Sequence, residues 1–537
     1  MVATLKVINT EIVVIGAGPC GAVLAHRLAA AGREVLLVER GEWMEKGLIN
    51  RSAPDYELQR RSSFNANPNI RYGPADDLVD DFESPIKPMI GNAVGGGSLW
   101  WSAHVPRFRP EDFLTRTLDS VGEDWPISYS DLSPYYAQVE NLWGVASVLG
   151  DPSAMPDRNS PVKPLPSIGA HGHRISAALD RMGWHWWPVD LVVGKEPIGE
   201  TDLCTHTGPC DIGCPARYRS GADRIVAEAM KYGASLMTST RVQRLEIGAG
   251  DRVTTAICLK GNAMFRVKAK TFILSAGGMG TPRLLLLSAC KRFPNGLANN
   301  SGLVGRMLML HPYARVDGLF PEAVGALAPH EMAGIVSLEF LPTRPESRAK
   351  RGVKLQLVPG PNALALARGV GTGQTLPWGS EHHAEFVSRF DRICGFNVCA
   401  EDLPDAENRI TLSTDLFDKY GQPAAKWVYK VSQNSRKLLD YGMDRASEIL
   451  IEAGATETFR TPLRDQAGFH IAGTARMGTD PQKSVTDSTG RCHDLENLFV
   501  ADASTFVTSS CLNPTLTAQA LSLRIADYIL GIPLRTA

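Results

Sequence analysis

The sequence has almost no net charge and no long apolar run. Its 56 Lys and Arg side chains nearly balance 57 Asp and Glu, which gives a formal net charge of −1. A protein dedicated to nucleic acid needs excess basic side chains to neutralise phosphates, and no such excess is present. No stretch approaches the roughly 20 consecutive apolar residues of a membrane-spanning helix. The sequence therefore predicts neither a nucleic-acid partner nor a membrane span.

Cysteine is scarce, and the N-terminal residues do not resemble an export signal. Ten cysteines among 537 residues are too few for a disulfide framework. The opening residues, MVATLKVINTEIVVIG, lead almost directly into a strand, without a basic segment, a twin arginine or a cleavage site. These features predict a cytoplasmic protein. Transport into the periplasm with a signal-bearing partner is the alternative.

The first 40 residues predict a dinucleotide cradle. The apolar run Glu11–Ile15 is followed by Gly16, Gly18 and Gly21 in GAGPCG, then by a helical pattern and a second apolar run that ends at Glu39. In such a β-α-β unit the glycines permit a tight turn and close approach of the backbone to a pyrophosphate. The helix N-terminus binds the phosphates, and the acidic residue accepts ribose hydroxyls. This unit alone does not separate FAD from NAD.

Two further segments favour a cofactor larger than NAD. The loop GNAVGGGS contains Gly95, Gly96, Gly97 and Ser98, where the lack of side chains lets backbone approach a flat or charged group. Near the C-terminus, Asp502 follows a buried run and is suited to binding the hydroxyls of a ribityl chain. The segment NPTLT then begins a helix, whose N-terminus would stabilise negative charge on a reduced flavin.

These motifs together resemble the glucose–methanol–choline (GMC) oxidoreductase family, flavoproteins that oxidise alcohols. The resemblance covers most of the chain and includes GNAVGGGSLWWSAHVPRF, SAGGMGTPRLLLLS, SGLVGRMLMLHP and the block from His470 onward. Within the family, the chain is most similar to bacterial sugar, polyol and glycoside dehydrogenases. Trp100 or Trp101 lies where several relatives carry a histidine bonded covalently to the flavin. The resemblance therefore implies non-covalent FAD.

The implied fold is α/β, with two interleaved domains. A Rossmann-like FAD-binding domain would comprise residues 1–125, 204–311 and 465–537. A β-sheet-containing substrate-binding domain, of the type shared with p-hydroxybenzoate hydroxylase, would comprise residues 126–203 and 312–464. The β-rich character of the 312–464 region, with runs such as KLQLVP and RITLS, supports this interleaved order.

The resemblance also implies the site residues. His470, in FHIAGTARMG, matches the catalytic histidine, a base that takes the hydroxyl proton as a hydride passes to flavin N5. Asn513 matches the second catalytic position and would orient the substrate oxygen, whereas His104 and His311 are expected to be structural or to line the substrate site. The predicted cofactor-binding residues are Gly16, Gly18, Gly21, Glu39, Gly95, Gly96, Gly97, Ser98, Val242, Ala276, Asp502, Ala503, Asn513, Pro514 and Thr515.

Three cysteines form a cluster of their own. Cys204, Cys210 and Cys214 lie within eleven residues and precede a proline. Three thiolates without a fourth nearby favour a [3Fe-4S] cluster over a closed zinc site, and the spacing is similar to that of family members that contain such a cluster. The alternative is a loop of buried structural thiols.

The leading hypothesis is an FAD-dependent enzyme that oxidises an alcohol of a sugar, glycoside, polyol or aminocyclitol and passes electrons to an acceptor other than NAD. One alternative is an oxidase that produces hydrogen peroxide. A second is a lyase in which FAD does not turn over. A third is the subunit of a larger complex with a small subunit and a cytochrome.

Overall fold

The computed structural model describes residues 5–44, 56–153, 165, 167–193, 221–325, 334–373 and 375–534. In chain order the strands are β1 (Lys6–Ile15), β2 (Val35–Val38), β3 (Val79–Asp80), β4 (Val145–Ala146), β5 (Trp187–Pro188), β6 (Leu191–Val192), β7 (Ser235–Met237), β8 (Thr240–Ile247), β9 (Val253–Lys260), β10 (Ala263–Leu274), β11 (Tyr313–Leu319), β12 (Ile335–Ser337), β13 (Val353–Pro359), β14 (Ile393–Ala400), β15 (Arg409–Phe417), β16 (Pro423–Val428), β17 (Glu457–Thr461) and β18 (Leu498–Val500).

The helices follow the same order. They are α1 (Pro19–Ala30), α2 (Tyr56–Arg61), α3 (Pro68–Arg71), α4 (Thr115–Asp119), α5 (Tyr129–Trp143), α6 (Gly169–Met182), α7 (Ala222–Lys231), α8 (Gly277–Leu287), α9 (Ala363–Ala367), α10 (Glu381–Arg389), α11 (Gln433–Glu452) and α12 (Thr515–Ile529). Within the described ranges, no helix has the length and apolar character needed to cross a membrane.

The first sheet contains the predicted β-α-β opening. Its seven strands run in the order β7-β2-β1-β10-β9-β8, and β18 pairs with β10. Strand β1 pairs in parallel with β2 and β10, so the carboxyl ends of these strands meet at one edge, where ligands bind in open α/β sheets. Ile12, Val13 and Val14 are fully buried in the middle of this sheet. The predicted α/β class with a Rossmann-like part is confirmed.

The second sheet has six strands in the order β17-β11-β14-β13-β12-β5. All of its pairings are antiparallel. Its strands lie between residues 187 and 461, inside the segments that the sequence analysis assigns to a second domain. Helix α5 belongs to those segments too, yet it packs against α12 near the C-terminus. The domain boundaries stay a prediction.

Candidate active site

The first glycine turn is built by close backbone packing. Gly16 adopts a φ of +106°, and a Cβ there would lie 2.4 Å from the carbonyl oxygen of Ser275. A Cβ on Gly21 would lie 2.0 Å from the carbonyl oxygen of Gly16. Gly18 is the N-cap of α1, without a side-chain cap, and the first turn of α1 contains no acidic residue. The start of α1 is therefore open to an anionic ligand.

The second glycine loop packs directly on the first turn. The backbone N–H of Gly95 donates to the carbonyl oxygen of Ala17 at 2.9 Å. A Cβ on Gly96 would lie 2.9 Å from the Cα of Gly18, whereas a Cβ on Gly97 would meet no protein atom within 4 Å. The hydroxyl of Ser98 donates to the Gly95 carbonyl and accepts from the N–H of Ala222, so it stabilises the loop itself.

Two buried carboxylates shape the walls of this cavity. Glu39 accepts from the N–H groups of Ala17 and Gly41, each at 2.9 Å. Asp502 accepts from the N–H of Gly277 at 2.9 Å and from the hydroxyl of Thr281 at 2.6 Å. Burial raises the pKa of both carboxyl groups. Each carboxylate thus holds the backbone of a turn in place beside the cavity, and its role toward ribose or ribityl hydroxyls stays a prediction.

Most of the predicted cofactor residues meet at one cavity of about 300 Å³. Its lining includes Gly16, Gly18, Glu39, Gly96, Gly97, Val242, Ala276, Asp502, Ala503, Pro514 and Thr515. Gly21 and Gly95 do not line it; they pack behind the two turns. Ser98 and Asn513 line a neighbouring chamber instead.

That chamber has a volume of about 830 Å³ and lies against the second sheet. Its volume is in the upper part of the range usual for small-molecule sites. The two cavities share a short set of residues, which are Pro19, Met89, Gly91, Gly97, Phe469, His470 and Thr515. His470 therefore lies where the cofactor cavity and the chamber meet.

A hydrogen bond between two imidazoles fixes the tautomer of His470. His311 Nδ1 lies 2.8 Å from His470 Nδ1, and His311 Nε2 lies 3.2 Å from the carbonyl oxygen of Ser509. A carbonyl oxygen only accepts, so Nε2 of neutral His311 carries the hydrogen and its Nδ1 is the acceptor. His470 Nδ1 must then donate. The unprotonated nitrogen of His470 is Nε2, and that lone pair is available as a base.

Burial keeps both imidazoles neutral. Burial, together with the positive charge of Lys354, lowers the pKa of His311 to about 3. Burial is also the largest cause that lowers the pKa of His470 well below its usual value, followed by the nearby His311, Lys354 and His104. The surroundings of His470 disfavour its protonated form, so its neutral imidazole persists at pH values well below 6.5.

Asn513 is oriented by a lysine. The Nζ of Lys354 donates to Asn513 Oδ1 at 2.5 Å, and the two side chains are only 1% and 7% exposed. Because the carbonyl end of the amide accepts from lysine, the Nδ2 end is the donor left for the chamber. Asn513 directly precedes Pro514, the N-cap of α12, whose first turn carries no acidic side chain.

The sequence analysis did not identify Lys354, and it did not predict that His311 bonds to His470. Lys354 lies in VKLQLVP, where the alternation of polar and apolar residues also fits a strand with one face in water. The only signal in the sequence was a lysine within a strand-like run, and this does not distinguish a buried lysine from an exposed one. Its neighbour Asn513 is 159 residues away, and no local pattern connects the two.

The cysteine cluster lies outside the described residues. Cys204, Cys210 and Cys214 all fall in the segment 194–220, so the structure does not test their predicted role. In the described parts of the chain, no three His, Cys, Asp or Glu side chains are placed to hold a metal ion. Among the other cysteines, Cys20 lines the cofactor cavity, and burial raises the pKa of its thiol to about 12.

Family models decide the assignment of the chain. A model described as GMC oxidoreductase matches residues 10–313, and a second model with the same description matches residues 404–522. The chain belongs to the GMC oxidoreductase family. It is therefore an enzyme, an FAD-dependent oxidoreductase that acts on alcohols or sugars, and the predicted family is confirmed.

Individual GMC oxidoreductases match nearly the whole chain. The 2-methyl-1,2-propanediol dehydrogenase of Mycolicibacterium austroafricanum is 35% identical over 97% of this chain and 95% of its own length. The fructose dehydrogenase large subunit of Gluconobacter japonicus is 30% identical over 98% of each chain. A formate oxidase of Aspergillus oryzae RIB40 has a TM-score of 0.65 at 16% identity and covers 98% of this chain and 99% of its own. The last match supports the fold alone.

The residues present fit the FAD that GMC oxidoreductases use. Gly18 and Gly97 leave open the space that a side chain would fill, and both line the cofactor cavity. The start of α1 is free for the diphosphate, and the start of α12 borders the junction with the chamber. Non-covalent binding, which the family resemblance implies through Trp100 or Trp101, stays a prediction.

Proposed function

We propose that this GMC oxidoreductase oxidises a hydroxyl of a sugar, glycoside, polyol or aminocyclitol to the carbonyl, with His470 as the base. The observation that carries the proposal is the position of His470, at the junction of the cofactor cavity and the chamber. When bound, FAD supplies the acceptor for the two electrons that leave the carbinol carbon. The dehydrogenases of a diol and of fructose among the relatives support this substrate range.

His470 would take the hydroxyl proton on Nε2. The bond to His311 occupies Nδ1 as a donor, which leaves Nε2 with the lone pair. The neutral state of His470, maintained by burial, means that the base is already in its working form at neutral pH. His311 does not need to touch the substrate; it positions the ring of His470 and selects its tautomer.

Asn513 would hold the substrate oxygen through its Nδ2–H groups. An amide is a poor base, but as a donor it stabilises negative charge that develops on oxygen as the proton departs. Lys354 fixes which end of the amide points to the chamber, and burial lowers the pKa of its own ammonium group. We assign Lys354 as a positioning residue rather than a catalytic one.

Replacing Lys354 with methionine should lower kcat by about 10- to 30-fold, because it removes a hydrogen bond from a charged donor and frees Asn513 to rotate. KM should change little. The lost positive charge should also raise the pKa of His470, so the acid limb of the kcat profile should move to higher pH. The measurement is the pH dependence of kcat for Lys354→Met beside Lys350→Met, a matched change at an exposed position. A lower kcat with an unmoved acid limb would contradict the positioning role.

We further propose that the enzyme uses an electron acceptor other than NAD, and that Cys204, Cys210 and Cys214 would hold a [3Fe-4S] cluster. The cysteine spacing supports the cluster. Similarity to a protein named as a large subunit supports a search for a small subunit and a cytochrome acceptor. Iron analysis of the purified chain tests the cluster directly: about three irons per chain are expected, and an iron-free protein would reduce the cysteines to a structural role.

An anaerobic titration of the FAD-loaded enzyme tests the reaction type. D-fructose, D-glucose, glycosides and 1,2-propanediol would be added in turn while the flavin absorbance is followed. Bleaching is expected with at least one of them, followed by recovery on addition of a quinone or cytochrome. Recovery with oxygen alone, with production of hydrogen peroxide, would favour an oxidase. A product formed while the flavin stays oxidised would indicate a lyase and refute the proposal.

A further inference from the structure

The second sheet has two faces of opposite character. On one face, apolar side chains such as Val316, Leu355 and Phe396 share a core with Leu438 and Leu450 of α11. Successive residues of a strand point to opposite faces, so the neighbours of these apolar residues point away from α11. That second face is the one that lines the chamber.

Four polar side chains cross this second face in one line. Thr461 of β17 pairs with Arg315 of β11, Arg315 pairs with Asn397 of β14, and Asn397 pairs with Gln356 of β13. All four line the chamber. We call Thr461, Arg315, Asn397 and Gln356 the polar row. Directly opposite residues in antiparallel strands lie about 5 Å apart, so the row presents hydrogen-bonding groups over the width of four strands.

Within the polar row, Gln356 has the side chain that is most available to a ligand. It is 7% exposed and lines the chamber, and its side chain forms no hydrogen bond with the described residues. Neither Oε1 nor Nε2 of Gln356 is among the fully enclosed polar atoms without a partner, so both ends of this amide are open to a ligand in the chamber. Asn397 accepts from Arg464 Nη1 at 3.0 Å through Oδ1, which leaves its Nδ2–H groups as donors. The two neighbouring amides thus offer donors and an acceptor together.

The charged side chains around the polar row are balanced, because each arginine has an aspartate beside it. Arg315 forms a close pair with Asp317, at 2.6 Å between Nη2 and Oδ1, and donates to the carbonyl of Pro359. The other arginine of the chamber lining, Arg464, is matched by Asp465 in the same lining. A wall whose charges are balanced does not select an anion or a cation. Neutral groups that both donate and accept, such as hydroxyls, suit it best.

The polar row and the proposed catalytic residues line the same chamber. Gln356 is two residues along β13 from Lys354, which bonds to Asn513. At about 3.4 Å per residue, the two Cα atoms are about 7 Å apart along the strand. A substrate with one hydroxyl at Asn513 and His470 engages both amides of the polar row only with further hydroxyls, which a hexose ring carries. A short diol has only one further hydroxyl.

We propose that the polar row is a hydroxyl-binding subsite, through which the enzyme selects an uncharged hexose or hexoside over short alcohols. This inference rests on the proposed function and deepens it. Gln356 and Asn397 would bind hydroxyls of the ring remote from the carbon that is oxidised. They would act on specificity and not on the chemical step.

The test compares Gln356→Leu with the wild type on D-fructose, D-glucose and 1,2-propanediol. For the better sugar, kcat/KM should fall about tenfold, as expected for lost neutral hydrogen bonds, while kcat/KM for 1,2-propanediol should stay within about twofold. Gln482→Leu, the same change at an exposed position, serves as the matched control. Gln356→Glu keeps the size and the acceptor, and it substitutes for Gln356→Leu if the leucine variant does not fold.

Calorimetric measurement of sugar binding distinguishes a failure of the proposed subsite from a failure of the proposed function. Sugar binding that weakens in Gln356→Leu, with no flavin bleaching by any alcohol, would leave the subsite standing and refute the proposed function. Bleaching by 1,2-propanediol without sugar binding to the wild type would overturn the subsite alone. Equal losses for the sugar and the diol, or no loss for either, would also overturn it.

Discussion

Replacing His470 with alanine should lower kcat by about 10²- to 10⁴-fold, the usual contribution of a general base. The FAD content should be retained, because the glycine turns and the starts of α1 and α12 remain intact. The measurement is the rate of anaerobic flavin bleaching in a single turnover, which reports the chemical step without acceptor or product release. His173→Ala, at an exposed position of α6, provides the control.

The pH profile gives this prediction a second readout. A base must be unprotonated to act, and burial lowers the pKa of His470, so the wild-type bleaching rate should stay level as pH falls through 6.5 and decline only well below it. In His470→Ala this acid limb should disappear along with the rate. A variant that keeps the wild-type acid limb would assign the titration, and the base, to another residue.

Replacing Gly97 with leucine should abolish most FAD retention without unfolding the protein. A Cβ at this position meets no protein atom within 4 Å, and Gly97 does not adopt a positive φ, so the new side chain would occupy open space. That space borders both cavities. Overlap with a bound flavin should raise the dissociation constant by about 100-fold or more. The measurement is FAD titration of the apoprotein by fluorescence.

A size series provides the control for this prediction. Gly97→Ala, Gly97→Val and Gly97→Leu should weaken FAD binding progressively, while the free energy of unfolding of the apoprotein stays nearly constant. Gly21 offers the contrast, because a Cβ there would lie 2.0 Å from the carbonyl oxygen of Gly16. Gly21→Ala should lower the stability of the apoprotein itself. Equal FAD affinity across the Gly97 series would mean that the flavin does not lie against this loop.

The sequence was sufficient for features whose residues are adjacent in the chain. The β1-α1-β2 unit could be predicted because the strand, the glycine turn and the acidic residue lie within 30 residues, and each depends on local backbone geometry. The second glycine loop could be predicted as a further part of the cofactor site because its lack of side chains favours close approach of backbone to a flat or charged group. The structure shows the contact itself, the bond from Gly95 N–H to the Ala17 carbonyl.

Features that depend on strand register could not be predicted. The alternation in VKLQLVP indicates two faces, but it does not say that the polar face of β13 borders a chamber rather than water. The pairing of Gln356 with Asn397, and of Asn397 with Arg315, follows from which strands are neighbours and in what register. Tertiary pairing of this kind also decides that Lys354 meets Asn513 and that His311 meets His470.

The imidazole pair also bears on the direction of the reaction. To reduce a carbonyl, the site would need a protonated His470 to return the proton, and burial, His311 and Lys354 all oppose that state. At neutral pH the imidazolium needed for the return step is therefore scarce. His470 therefore slows carbonyl reduction at neutral pH, and the rate of the reverse reaction should rise as the pH falls toward the pKa of His470.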